Sequence, residues 1–116
     1  MDRNNASDRG GSLDIAGNNC TIVNVTLSNC NATNEGGAVY VRGNNTLFDG
    51  VTSVNNTAEL GGSTFIRGNN VTVQNCTLDN NTATLRGGGL NIAGHNCTVT
   101  NVSVSNNKAG TMGGGL

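Results

Sequence analysis

Apolar and polar positions in this chain alternate in short bursts rather than at a helical period, and the bursts return at fixed intervals. Leu13, Val39, Thr64, Leu90 and Leu116 stand in equivalent places, followed two residues later by Ile15, Val41, Ile66 and Ile92. A second burst carries Cys20, Thr46, Val71 and Cys97, then Ile22, Phe48, Val73 and Val99. A third carries Val25, Val51, Cys76 and Val102, then Leu27, Ser53, Leu78 and Val104. Alternation at period two, in Val-, Ile- and Thr-rich segments bounded by Gly and Asn, predicts three short strands per unit.

Glycine pairs beginning at Gly10, Gly36, Gly61, Gly87 and Gly113 set the interval, with spacings of 26, 25, 26 and 26 residues. A fixed period in this range marks units that bury their apolar side only by stacking on one another. Three strands per turn, no helix-forming stretch and no Pro predict an all-β fold, a parallel β-helix of about four coils. The coils fall at 10–35, 36–60, 61–86 and 87–112, with partial coils at 1–9 and 113–116, in one domain spanning 1–116. Right-handed winding is expected because parallel crossovers almost always take that hand. The run Val99 to Ala109 also fits a leucine-rich-repeat skeleton, but a third alternating strand stands where such repeats place a helical segment.

The turns carry their own signal. Gly17, Gly43, Gly68 and Gly94 close the first strand and precede Asn-Asn or His-Asn, a pairing suited to positive φ. Asn24, Gly50, Asn75 and Asn101 share the position between the second and third strands. Exchange of Asn with Gly alone is what a left-handed backbone selects. These asparagines are expected to stack as an inward hydrogen-bonded ladder.

Composition narrows the function classes. The apolar fraction of 34% reaches an ordinary value only when the eighteen glycines are added, so the core must be narrow. A formal charge of −1 supplies no basic field for nucleic acid or an anionic membrane. No stretch approaches the roughly eighteen apolar residues of a membrane-spanning helix, and Met1 to Asn5 begin no basic and apolar leader.

Cys20 and Cys97 share a column three coils apart, too far for a disulfide, and Cys30 and Cys76 lie in other columns. All four read as core-filling thiols. A single His, His95, and no Cys-x-x-Cys spacing predict no metal site and no cofactor. The carboxylates Asp14, Glu35, Asp49, Glu59 and Asp79 fall in different columns, whereas glycoside cleavage needs two acids facing each other. A non-enzymatic protein is therefore expected.

Asn-x-Ser/Thr occurs at Asn5, Asn19, Asn31, Asn44, Asn55, Asn70, Asn80 and Asn96, which are candidate glycosylation sites. It also occurs at Asn24, Asn75 and Asn101, where the expected inward ladder argues against modification. The outward side of the first strand departs from bland Asn, Ser and Thr. There Tyr40 and Phe65 share one column and Arg42 and Arg67 the next, a composition that predicts a contact patch suited to proteins or sugars. Two outward hydroxyl columns, Thr26, Thr52, Thr77 and Ser103, and Thr21, Thr72 and Thr98, raise ice binding as an alternative, with Leu47 interrupting the second.

Gly36-Gly37-Ala38-Val39, the glycine pairs in register with it, and Leu78-Asp79-Asn80-Asn81 and Val104-Ser105-Asn106-Asn107 together resemble a known repeat class. They are similar to the GGA(I/L/V) and FxxN repeats of chlamydial polymorphic outer membrane proteins and of adhesin-like surface proteins of methanogenic archaea. The second motif here keeps its Asn but not its Phe, and Leu27-Ser28-Asn29-Cys30 loses the Asn as well. The resemblance implies an extracellular or cell-surface β-helix used for attachment or as a stalk, and it assigns no catalytic residues. Partners are then expected to be glycans, cell-surface ligands or further copies. Head-to-tail stacking of copies is expected too, because Asn4-Asn5-Ala6 opens part-way through a coil and Gly113 to Leu116 begin the next first strand without a cap.

Overall fold

In the computed structural model, which describes all 116 residues, the chain winds into a β-solenoid of about four turns built from parallel strands and no helix. It therefore has no helix long and apolar enough to cross a membrane. The first sheet stacks Leu13–Ile15, Val39–Val41, Thr64–Ile66 and Leu90–Ile92. The second stacks Thr21–Val23, Leu47–Asp49, Thr72–Gln74 and Thr98–Thr100. The third stacks Thr26–Ser28, Thr52–Val54, Thr77–Asp79 and Ser103–Ser105. Equivalent positions of the sequence repeat are direct partners, as in Leu13 with Val39, Val39 with Thr64 and Thr64 with Leu90.

Each coil has four strands, not the three that alternation predicted. The fourth sheet runs through Asn5–Ala6, Asn31–Ala32, Thr57–Leu60, Thr82–Arg86 and Lys108–Ala109. Its inward positions hold Cys30, Asn56, Asn81 and Asn107 and then Ala32, Ala58, Ala83 and Ala109. Polar and small residues hide the alternation there. The single 25-residue interval also belongs to this side. The coil from Gly36 reaches the next glycine pair two residues after Ala58, whereas the coil from Gly61 uses three after Ala83, and the pairing slips between Ala83 and Arg86.

Left-handed residues make all four corners of a coil. They lie in the columns of Gly36, Asn45, Gly50 and Asn55, and the asparagine columns repeat at φ between 52° and 59°. Gly17, Gly43, Gly68 and Gly94 each stand just before one of these corners. Positive φ falls on the Asn two residues after each of them, Asn19, Asn45, Asn70 and Asn96, as the Asn-Asn and His-Asn turns suggest. Gly43, Gly68 and Gly94 are required because a Cβ on any of them would strike the carbonyl oxygen of the equivalent glycine one coil back, whereas Gly17 has no coil behind it to crowd its Cβ.

The core is a column of inward aliphatic side chains, with Leu27, Val39, Val41, Ile66, Val71 and Leu90 all buried, and Phe48 filling the second coil. Beside it runs the inward ladder, at a column the sequence reading did not choose. Asn56, Asn81 and Asn107 each donate from Nδ2 to a backbone carbonyl one coil back: Leu27 at 3.2 Å, Ser53 at 3.0 Å and Leu78 at 2.8 Å. Each also accepts, through Oδ1, the N–H of the equivalent residue one coil back, at 2.8 to 2.9 Å. Buried backbone groups that a four-cornered coil leaves unpaired are satisfied in this way. The asparagine of the FxxN-like motif is thus a structural residue.

Candidate functional site

The residues singled out on the first strand do come together. Tyr40 pairs in register with Phe65, with Asp14 and Asn91 continuing the column on either side. Their side chains point away from the coil core, as alternation requires once Val39 and Val41 point in. The rings lie 5.9 Å apart and nearly parallel, at 12°. Arg42 and Arg67 form the neighbouring column, their N–H groups donating to the carbonyls of Ile15 and Val41.

The rings are nevertheless not a free contact surface. Tyr40 is 2% exposed and Phe65 4%. What covers them comes from the corner before each glycine pair, where Arg9, Glu35, Leu60, Arg86 and Met112 align as bridged neighbours. The Arg9 guanidinium lies 5.0 Å from the Tyr40 ring centre, and that of Arg67 lies 5.4 Å from the ring of Phe65. Between them sits the Glu35 carboxylate, with Arg67 Nη2 at 2.6 Å and Arg9 Nε at 3.0 Å. The second contact is an ion pair with too bent an angle for a hydrogen bond, so Arg9 Nε and Glu35 Oε2 have no hydrogen-bond partner. Arg42 Nη2 donates to Asp14 Oδ2 at 3.2 Å. Burial, and then the negative charge of Glu35, hold the Tyr40 phenol above its ordinary pKa.

The patch that solvent meets is therefore made of guanidinium groups, with the aromatic pair beneath them as a platform. Sequence reading found Tyr40, Arg42, Phe65 and Arg67 but missed Arg9, Glu35 and Asp14. The first two could have been seen as the residues preceding the glycine pairs in register. Nothing local says that this corner folds back over the sheet.

The other expected sites lie as follows. Asn24, Gly50, Asn75 and Asn101 have φ of 53°, 68°, 52° and 52°, so the left-handed corner stands. Their ladder is external and interrupted. Asn101 donates to Asn75 at 2.7 Å, but Asn75 donates to Asp49 at 2.9 Å because Gly50 has no side chain to offer. Asn24, Asn75 and Asn101 are exposed, which removes the reason for setting them apart from the other sequons. Asn5 and Asn31 are exposed on the fourth sheet; Asn19, Asn55, Asn70, Asn80 and Asn96 are exposed at left-handed corners; Asn44 is half-buried. Thr26, Thr52, Thr77 and Ser103 are register partners on the third sheet, and Thr21, Leu47, Thr72 and Thr98 on the second, with the Asn24 corner between. All four cysteines are free, and Cys30, standing where later coils place the ladder Asn, has its thiol 2.8 Å from the Ser12 hydroxyl.

No protein-family model matches the chain, and no curated protein or solved structure matches it either. The repeat β-helix is established by its parallel ladders, and no family match supports the resemblance to the chlamydial and methanogen surface proteins.

Proposed function

We propose that this chain is a structural or adhesive β-solenoid of the cell surface or extracellular space, a scaffold that displays outward side chains and carries out no catalysis. The observation that carries the reading is the use made of its polar groups. Glu35, the buried carboxylate, is held between two arginines, and the buried Asn56 and Asn81 tie one coil to the next. Asp2 and Asp79 likewise accept hydrogen bonds from Ser and Asn side chains one coil on. A carboxylate so engaged is a poor proton donor or nucleophile. The resemblance of the glycine-pair motifs to surface adhesins supports the location and the attachment role.

Stacking of a further coil, as in a surface filament or sheath, belongs to the same reading. Ile92 and Val99 are each 37% exposed, and another coil laid on them would cover that apolar surface. Adhesion of the purified chain to cells and to glycan-coated surfaces, with sedimentation at rising concentration, tests both parts. Failure to adhere together with a concentration-independent monomer would overturn it, as would depolymerisation of any polysaccharide by the purified chain.

A second reading, ice binding, is favoured by the register of Thr26, Thr52, Thr77 and Ser103 alone. Thermal hysteresis of the purified chain separates it from the first.

A further inference from the structure

We propose that the outer face of the first sheet binds oxyanions, taking the carboxylate or sulfate groups of an acidic polysaccharide. This deepens the adhesive reading and rests on it for the polymer. The arginine geometry is independent of it.

Arg42 and Arg67 occupy one column in consecutive coils, fixed by backbone hydrogen bonds of 2.9 and 2.7 Å to Ile15 and Val41. Neighbouring strands lie ~4.8 Å apart, and like charges side by side on a sheet are destabilising. Each has a carboxylate of its own, Asp14 for Arg42 and Glu35 for Arg67, and neither acid bridges the pair. A guanidinium has a planar fork of N–H donors that matches a carboxylate or sulfate edge in bidentate fashion. Each of these two donates one hydrogen bond to its carboxylate, and each side chain is 50% exposed. Donors therefore remain on both, on paired strands one coil apart.

The donors are also held in place before any ligand arrives. Arg67 is packed on Phe65 and tied to Glu35, and Arg9, 37% exposed, is packed on Tyr40 and tied to the same carboxylate. Three guanidinium groups meet three carboxylates, since Arg9 also lies 3.7 Å from Asp8, so what the patch offers a ligand is its free N–H donors and not an excess of charge. Such a patch lacks the broad basic field that holds nucleic acid. It suits a single file of acidic groups, and its arginines follow the solenoid axis, so successive groups of a linear polymer meet successive coils.

Tyr40 is the only tyrosine and the chain has no tryptophan, so intrinsic fluorescence comes mainly from a ring beneath the arginines. The test titrates the 116-residue chain with polygalacturonate, dextran sulfate and unsubstituted dextran. A saturable change in Tyr40 emission with an acidic polymer, absent with dextran and weakened by salt, is the expected result. Response to polygalacturonate alone assigns a carboxylate ligand, and response to dextran sulfate alone a sulfate. Arg42→Gln should weaken binding by about tenfold or more. Arg42→Lys, which keeps the charge without the fork, should fall between and guards against a folding defect in the first variant. No response to either acidic polymer, or undiminished binding by folded Arg42→Gln, overturns the proposal. Binding of acidic polymer without adhesion to cells would remove the adhesive reading and leave the site standing.

Discussion

Asn81 accepts the backbone N–H of Asn56 at 2.9 Å while donating its own amide to the carbonyl of Ser53 at 3.0 Å. One fully buried side chain thus closes two backbone groups of the preceding coil. Asn81→Ala leaves both without these partners, and an unsatisfied buried polar group costs about 1–3 kcal/mol. A loss on the order of 2–4 kcal/mol in urea melts is expected from the two together. A loss under about 1 kcal/mol, the scale of an ordinary hydrogen bond, would show that the ladder is dispensable.

Gly50 stands at φ 68° in a column otherwise filled by Asn. A β-branched residue is strained in that region, so Gly50→Val should destabilise by roughly 1–3 kcal/mol. Gly50→Asn should be nearly neutral. A Cβ there meets the end of the Asn24 side chain at 2.5 Å, which is free to move aside at an exposed corner. Equal losses for the two variants in denaturant would remove the corner from the argument.

The ring pair is expected to matter for folding, because both rings are buried although they stand on the outward side of the first sheet. Phe65→Ala should cost about 2–4 kcal/mol because a buried ring is lost between Tyr40 and Arg67. Arg42→Ser should cost far less, being half exposed. Thermal melts of the two single variants check the contrast, and a neutral Phe65→Ala would place the rings in solvent.

Tyr40 gives an alkaline signature. Its folded pKa is raised above the ordinary 10.0 by burial first and then by Glu35. The sign follows: the raised pKa adds stability below pH 10 that disappears as pH climbs through the folded value. Phenolate absorbance should therefore appear at higher pH in the folded chain than in urea. Coincident titrations in the two solvents would contradict the buried phenol.

At the acid end the carboxylates act in the opposite sense. Hydrogen bonds from Asn106 and then Ser105 hold Asp79 below its ordinary 3.8, and those from Asn75 and then Gln74 do the same for Asp49. Depressed folded values mean stability that is present above about pH 4 and lost as pH falls through them. The melting temperature should be level near neutrality and drop below that point, with Asp79→Asn showing a shallower drop. Parallel acid profiles for the two chains would dismiss Asp79 as a contributor.

The sequence alone determined what depends on periodicity. Strand positions, parallel register and the pairing of Leu13 with Val39 or Tyr40 with Phe65 follow from a repeat that places like residues one above another, and the left-handed corner at Gly50 follows from Asn and Gly exchanging there. Tertiary structure decided the rest, wherever a residue's role depends on what lies across the coil. The fourth sheet escaped notice because its inward column is Asn and Ala, which carry no apolar alternation, and its ladder of Asn56, Asn81 and Asn107 is recognisable only once those side chains are seen to be enclosed. The contact patch was legible as four residues sharing two columns. Its real surface was not, because the corner bearing Arg9 and Glu35 folds over Tyr40 and Phe65, and the contacts that fix it join residues 26 to 32 positions apart in the chain.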